Sequence, residues 1–353
     1  EKGFTVDLEG FKKCMEEQRE RARNARDDEQ SMSSQSADLM EFEENSDFLG
    51  YSAHTMDAEV LACFKNGVRV ASIEDEGDII LSQTAFYAES GGQVGDTGVI
   101  TIGDTVFNVT NTTKTADGTI LHQGTIVEGD GINVDDTVKA VVDADRRKAI
   151  MRNHTAAHLL QAALRETLGS HVEQAGQLVN ADAMRFDFTH FAALTSDEIA
   201  AVEALVNANI LVANGIVTME TDIETAKKHG AMALFGEKYG KTVRMVKMGN
   251  FSTELCGGTH CDNTGKIGLF KIVSESSVAA GVRRIEAVTG LGVLNLIASK
   301  DALINSAASE LKVPNPTDIA KRASQLQSEL RDAKKEIEAL NSKLASSKLG
   351  DIL

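Results

Sequence analysis

Hydrophobic and polar positions change rhythm several times along the 353 residues, and each rhythm predicts a different element. Residues 9–29 (EGFKKCMEEQRERARNARDDE) set a thin apolar side of Phe11, Met15 and Ala22 among charges, which predicts a charged helix. The Ser/Gln/Asp-rich stretch over 30–38 then reads as a linker. From about 52 to 145, short alternating runs (VRVASI, DIILSQ, GVITI, TVFNVT, TILHQGTI, DTVKAVVD) are punctuated by Gly, Asn and Asp at the spacing of a small antiparallel barrel.

The next block mixes periods. NHTAAHLLQAALRETLG places Leu159, Leu160, Ala163, Leu164 and Leu168 at helical spacing, with Asn153 as the expected N-cap and Gly169 as the stop. TSDEIAAVEALVNANILVANG opens on a capping box, Thr195 to Glu198. MRFDFTH, TVRMVKM, GLFKIVSES and VRRIEAVTG read as strands. Beyond Pro314 and Pro316, the residues Ile319, Ala323, Leu326, Leu330, Ala333, Ile337, Leu340 and Leu344 form a heptad seam. Such a seam serves equally to pair two chains, giving self-association, or to lie on a domain. The expected fold class is α+β, in four parts: a helical segment and linker over 1–50, a small antiparallel β-barrel over 51–147, an α+β domain over 148–290, and a helical segment with a coiled-coil heptad pattern over 291–353.

Composition narrows the setting. No run approaches a membrane span, so no membrane partner is expected. The chain opens on Glu1 with no apolar segment behind it and reads as an internal fragment. Cys14, Cys63, Cys256 and Cys261 are too scattered for a disulfide framework, which predicts a cytoplasmic location. The net charge of −17 argues against a nucleic-acid partner until its distribution is read. Basic against acidic side chains number 7 to 14 over residues 1–50 and 4 to 16 over 51–145, but 16 to 15 over 146–290 and 9 to 8 beyond. The second half therefore has room for local basic patches, such as Arg146-Arg147-Lys148 with Arg152, and Arg283-Arg284.

The chemistry concentrates in STELCGGTHCDNTGKIG, residues 252–268, where Cys256 and His260 stand four apart across a Gly-Gly step. His154 and His158 share the same spacing on a predicted helix, so both imidazoles project from one face, at its expected first turn. Either pair alone carries little. Together they make a tetrahedral zinc set of His154, His158, Cys256 and His260, one ion per chain, with the glycines letting the loop close tightly. Cys261 follows His260 directly and should point elsewhere. A zincin protease is excluded, because Thr155 stands where HExxH needs its glutamate. Ser90-Gly91-Gly92-Gln93 reads as a tight barrel turn, not a P-loop, since no Gly-Lys-Ser/Thr follows.

These residues carry a resemblance. RNHTAAHLL, FGEKYG, STELCGGTHCDNTGKIGLFKI and AAGVRRIEAVTG resemble the editing domain of alanyl-tRNA synthetase, and FYAESGGQVGDTG (86–98) resembles the β-barrel motif of the same family. The likeness runs from about residue 4 through the heptad tail. The threonyl-tRNA synthetase editing domain shares the paired spacings but not the barrel motif. The resemblance implies a zinc-dependent aminoacyl-tRNA deacylase that clears Ser-tRNA(Ala) and Gly-tRNA(Ala), with the tRNA acceptor end as partner. It places the family's four zinc ligands on His154, His158, Cys256 and His260, and a family glutamine on Gln174. Where the family usually reads Gly-Ser, this chain has Gly176-Gln177. The aminoacylation catalytic domain and the globular C-terminal domain have no counterpart in the matched motifs, so alanine activation is not expected.

Ester hydrolysis needs an activated water, a stabilised oxyanion and an aligned carbonyl. Zinc supplies the first by lowering a water pKa toward ~7, or polarises the carbonyl. It serves instead to orient the substrate amino group if His260 positions the water. Gln174 and Thr155 are the candidates to pair with a serine hydroxyl, against a competing reading in which Thr155 bonds back within its helix. The alternative function is a tRNA-binding module with a purely structural zinc and a coiled-coil interaction role. A zinc hydrolase acting on another ester is a third.

Overall fold

A computed structural model describes residues 10, 37–40, 42, 44, 46–231, 240 and 242–350. The predicted helix over 9–29, nearly all of the linker after it and most of FGEKYG lie outside the described residues.

Six strands close the barrel of the first domain: β1 (Thr55–Lys65), β2 (Glu76–Leu81), β3 (Gly98–Ile102), β4 (Thr105–Lys114), β5 (Ile120–Glu128) and β6 (Thr137–Val142). They pair antiparallel in the order β6-β3-β4-β5-β2-β1, and β6 pairs again with β1, from Thr137 opposite Glu59 to Val141 opposite Thr55, which closes the barrel. The alternation read from the sequence fills it: Val60, Ile79, Leu81, Ile100, Phe107, Val109, Val138 and Ala140 point inward.

Helix α1 (Ala144–Leu168) follows β6 almost directly. Its N-cap is Asp143, whose carboxylate accepts the Asp145 and Arg146 amides, and not Asn153 as the sequence predicts. Nothing in ADRRKAIMR breaks a helix, so it starts about three turns earlier and crosses the expected 147/148 boundary. His154 and His158 thus stand in mid-helix, not in its first turn. Asn153 is buried and spends its amide on tertiary bonds, donating to the Asn180 and Ala181 carbonyls and accepting from the Thr289 hydroxyl. Gly169 ends the helix with φ 116°.

The expected basic patches are also changed. Arg147 is 1% exposed, its guanidinium paired with Asp96 and donating to the Gly50 and Ala85 carbonyls at 2.8 Å. It staples helix to barrel and is unavailable to a phosphate. Arg283 pairs with Glu275 and Arg284 with Asp187.

Beyond α1 come β7 (Gln174–Val179), β8 (Met184–Thr189), α2 (Ser196–Leu211), β9 (Ile216–Asp222), β10 (Thr242–Met248), β11 (Ser252–Leu255), β12 (Phe270–Ala279) and β13 (Val282–Thr289). They make a four-stranded sheet, β7-β8-β13-β12, and a three-stranded sheet, β9-β10-β11, both antiparallel. Leu159, Leu160 and Leu164 of α1 share one core with Val202, Val206 and Ile210 of α2 and with Phe186, Phe188 and Ile285 of the larger sheet. Each fully buried side chain of this size stabilises the fold by about 1.5–3 kcal/mol. The capping box at Thr195 and Glu198 forms.

A second compact unit begins at Leu291. It holds α3 (Leu291–Glu310) and α4 (Ile319–Gly350). The heptad positions lie on α4, where Leu330, Ile337, Leu340 and Leu344 are each more than half exposed. No described helix is long and apolar enough to cross a membrane.

Candidate metal centre

Two elements bring the four predicted ligands together. His154 and His158 project from one face of α1, while Cys256 leaves the end of β11 and His260 follows its Gly-Gly turn. Their ligand atoms all lie within 4.8 Å of one another. Cys256 Sγ is 3.5 Å from His154 Nε2 and 3.3 Å from His260 Nε2. Zinc bonds of about 2.0–2.3 Å in a tetrahedron separate neighbouring ligand atoms by roughly 3.3–3.7 Å, so the residues fit the ion. Burial by itself raises the Cys256 thiol, but the His154 and His260 imidazoles outweigh it and hold the thiol well below its ordinary range, in the thiolate form that ligates. Burial pushes His260 down to about 3, whereas at His158 burial is outweighed by the Glu254 carboxylate and Cys256, which raise it to about 10.

The imidazoles are oriented from outside. His154 Nδ1 lies 2.7 Å from Gln93 Oε1. An amide oxygen only accepts, so Nδ1 carries the proton and Nε2 is left free to ligate. The same Gln93 oxygen accepts the Thr259 amide and its nitrogen donates to the Thr259 hydroxyl, both at 2.9 Å. His158 Nδ1 is in ion-pair contact with Glu254 at 2.9 Å, at an angle short of a hydrogen bond. The ligand loop is clamped as well: Arg244 donates to the Cys256 and Gly258 carbonyls at 2.9 Å and stacks on Tyr51, whose hydroxyl donates to the Gly257 carbonyl at 2.5 Å. Only glycine fits at 258, because a Cβ there would run into the His154 imidazole.

Gln93, Glu254, Arg244 and Tyr51 escape the sequence reading. Glu254 has a signal: it lies two residues before Cys256 across a strand end and so shares its side. Gln93 has none, since it reaches His154 from 61 positions away. The Ser90–Gln93 turn forms, with φ of 59° at Gly91 and 81° at Gly92. It docks on β7, where the Val179 backbone amide donates to the Gly92 carbonyl at 2.7 Å and the Gln177 side-chain Nε2 donates to the Gly91 carbonyl at 2.7 Å.

The remaining candidates separate. Gln174 lines a niche of about 20 Å³ together with Gln177, Ala157, His158, Glu254 and Cys256. Thr155 does not reach it. Its hydroxyl is fully buried, donates to the Met151 carbonyl at 2.6 Å and accepts the Cys261 amide at 3.1 Å. The competing reading, a bond back within the helix, thus forms at Thr155, and the same hydroxyl anchors the segment after His260. Cys261 is buried outside the four-residue cluster. A cavity of about 590 Å³ borders His260, between the Tyr51 segment, α1 and β9–β10.

Sequence comparison places this geometry among known proteins. The family model described as tRNA synthetases class II (A) matches residues 1–146, whose described part is the barrel and the start of α1. The model for the threonyl and alanyl tRNA synthetase second additional domain matches residues 243–286, the stretch with Cys256 and His260. Barrel and metal-site domain together thus have the make-up of a class II tRNA synthetase with that additional domain. Curated relatives narrow the class: the chain is 46% identical over 358 residues to alanine-tRNA ligase of Desulforamulus reducens, 47% over 357 to alanine-tRNA ligase 1 of Lachnoclostridium phytofermentans, and 45% over 354 to the enzyme of Bacillus cereus. The chain belongs to the alanyl-tRNA synthetase family. All of it aligns, and it spans 40% of the length of these relatives.

Proposed function

We propose that this chain hydrolyses the ester of mischarged Ser-tRNA(Ala) and Gly-tRNA(Ala), in the cytoplasm, as the proofreading part of alanine-tRNA ligase. The observation that carries this reading is the adjacency of an oriented four-ligand cluster and a glutamine-lined niche. The niche holds one water-sized group, the size of a serine hydroxyl. Zinc held by His154, His158, Cys256 and His260 would supply Lewis acidity and a water of lowered pKa. Gln93 and Glu254 keep the helix imidazoles in place, and Arg244 fixes the ligand loop through the Cys256 and Gly258 carbonyls. Gln174 pairs with the serine hydroxyl. Alanine offers no partner, and a site built for a hydroxyl rejects the analogue lacking it by up to ~10⁴–10⁵-fold. Glycine lacks the hydroxyl as well, so this contact accounts for the clearance of serine and not of glycine.

One observation favours the structural-zinc reading: four protein ligands already complete a tetrahedron. Single-turnover hydrolysis of Ser-tRNA(Ala) and Ala-tRNA(Ala), with and without chelator, separates the two. The deacylase reading expects fast, chelator-sensitive loss of serine, slow loss of alanine, and erosion of the serine rate with retained metal in Gln174→Ala. Equal rates on both esters reject it.

A further inference from the structure

We propose that Gln177 is a second specificity-determining side chain of the niche, a fixed wall that keeps out side chains larger than that of serine. The inference rests on the deacylase reading, in which Gln174 pairs with the serine hydroxyl. It starts from a shift of register in β7. Positions three apart in a regular strand face opposite ways, so Gln174 and Gln177 should part. Pairing with β8 instead sets Gln174 opposite Phe188 and Gln177 opposite Phe186, with a bulge between Gln174 and Gly176. Residues directly opposite share a face of the sheet, and Phe186 and Phe188 are both buried in the core. The bulge therefore turns both glutamines inward, where they line one niche of about 20 Å³ with His158 and Cys256.

The two amides are employed differently. Among the described residues Gln174 makes no side-chain hydrogen bond, which leaves its amide to a ligand. Gln177 spends its Nε2 on the Gly91 carbonyl at 2.7 Å. Its Cγ packs so closely on Gly92, where φ is 81°, that a Cβ there would collide with it. The turn that anchors it is itself held: Lys114 Nζ donates to Ser90 Oγ at 2.9 Å, and the Val94 amide donates to the Val179 carbonyl at 3.1 Å. The same turn ends on Gln93, which bonds His154. One turn of the barrel thus fixes both a ligand imidazole and a wall of the niche. Gln174 is free to pair, and Gln177 is tied and bounds the space. A niche of this size takes a hydroxyl and leaves no room for the methyl group that threonine carries beside it.

The test uses the full metal-loaded chain and two short fluorescent RNAs whose 3′ ends carry serine or threonine through a non-hydrolysable amide, read by anisotropy. The parent should bind the seryl RNA roughly 10–200-fold more tightly than the threonyl RNA, the range that one extra carbon commands in a fitted pocket. Gln177→Ala should shrink that ratio several-fold through tighter threonyl binding, with zinc content unchanged. A loosened fold would not produce a gain for the larger ligand. Gln177→Asn, a methylene shorter, should move the ratio the same way by less, and remains informative if the alanine variant folds poorly. Lys334→Gln on α4 should change neither affinity. The parent ratio in both Gln177 variants would overturn the assignment. So would equal loss of both affinities, which a docking bond alone predicts. Hydrolysis of the seryl ester by the parent is measured alongside. Hydrolysis with an unmoved ratio would remove the wall and leave the deacylase reading, whereas discrimination in binding without hydrolysis would remove that reading and leave the wall.

Discussion

Replacing Gln93 by alanine tests whether the barrel orients the metal centre. One buried side chain accepts from His154 Nδ1 at 2.7 Å and from the Thr259 amide at 2.9 Å, and donates to the Thr259 hydroxyl. Truncation orphans two buried donors, each costing about 1–3 kcal/mol, so the metal-free chain should lose about 2–6 kcal/mol. Partners of this kind typically change metal affinity about 10–100-fold. A thirtyfold weaker site forfeits about 2 kcal/mol of metal-linked stabilisation at a fixed excess of zinc. Gln93→Glu keeps both acceptances, the Thr259 hydroxyl turning round to donate, and should hold metal at least as well as the parent. Competition with a chromophoric chelator reads the affinity, and denaturant unfolding with and without zinc reads the linkage. Wild-type affinity in Gln93→Ala would refute the coupling. Equal losses in both variants would trace the effect to the amide's bond with Thr259 instead of the orientation of His154.

Other outcomes follow from single side chains. Cys256→Ala should lose the metal by elemental analysis while Cys261→Ala keeps it; the reverse would mean that the other cysteine ligates. Arg147→Met strands Asp96 in the interior and should cost about 3–5 kcal/mol in denaturant unfolding, with Asp96→Asn added to it recovering part of the loss. In the barrel, His122 bonds the Ile79 carbonyl and Thr84, and burial pushes it down to about 4. Its folded-state pKa lies below the unfolded value near 6.5, so the unfolded chain binds the extra proton between these pH values. Stability is therefore full above about 6.5 and drains as pH falls toward 4, by about 2 kcal/mol at pH 5. Melting curves of His122→Gln should show a flatter acid limb; an unchanged limb would place the acid sensitivity elsewhere.

Local pattern carried much of this fold. Period-2 alternation marked the barrel strands, the capping box at Thr195 marked α2, and two four-residue spacings picked out the residues that cluster. Each is a local rule, since alternation and the i,i+4 face depend only on backbone geometry. The start of α1 was misread because Asn153 is a fitting cap residue, and only a partner 136 positions away, Thr289, gives its amide other work. For Thr155 the sequence left two readings open, and the bond back within its helix to the Met151 carbonyl is the one that forms, whereas its acceptance of the Cys261 amide, 106 positions away, had no local signal. The sequence by itself thus determined the element types, the four candidate ligands and the family likeness, because these depend on periodicity and residue chemistry. Tertiary structure alone decided what surrounds them: Gln93 on His154, Glu254 on His158, Arg147 inside the barrel junction, and Arg244 on the carbonyls of the ligand loop. Hydrogen bonds and charge pairs between residues 50 to 170 positions apart exist only once the barrel packs against α1 and the β9–β11 sheet.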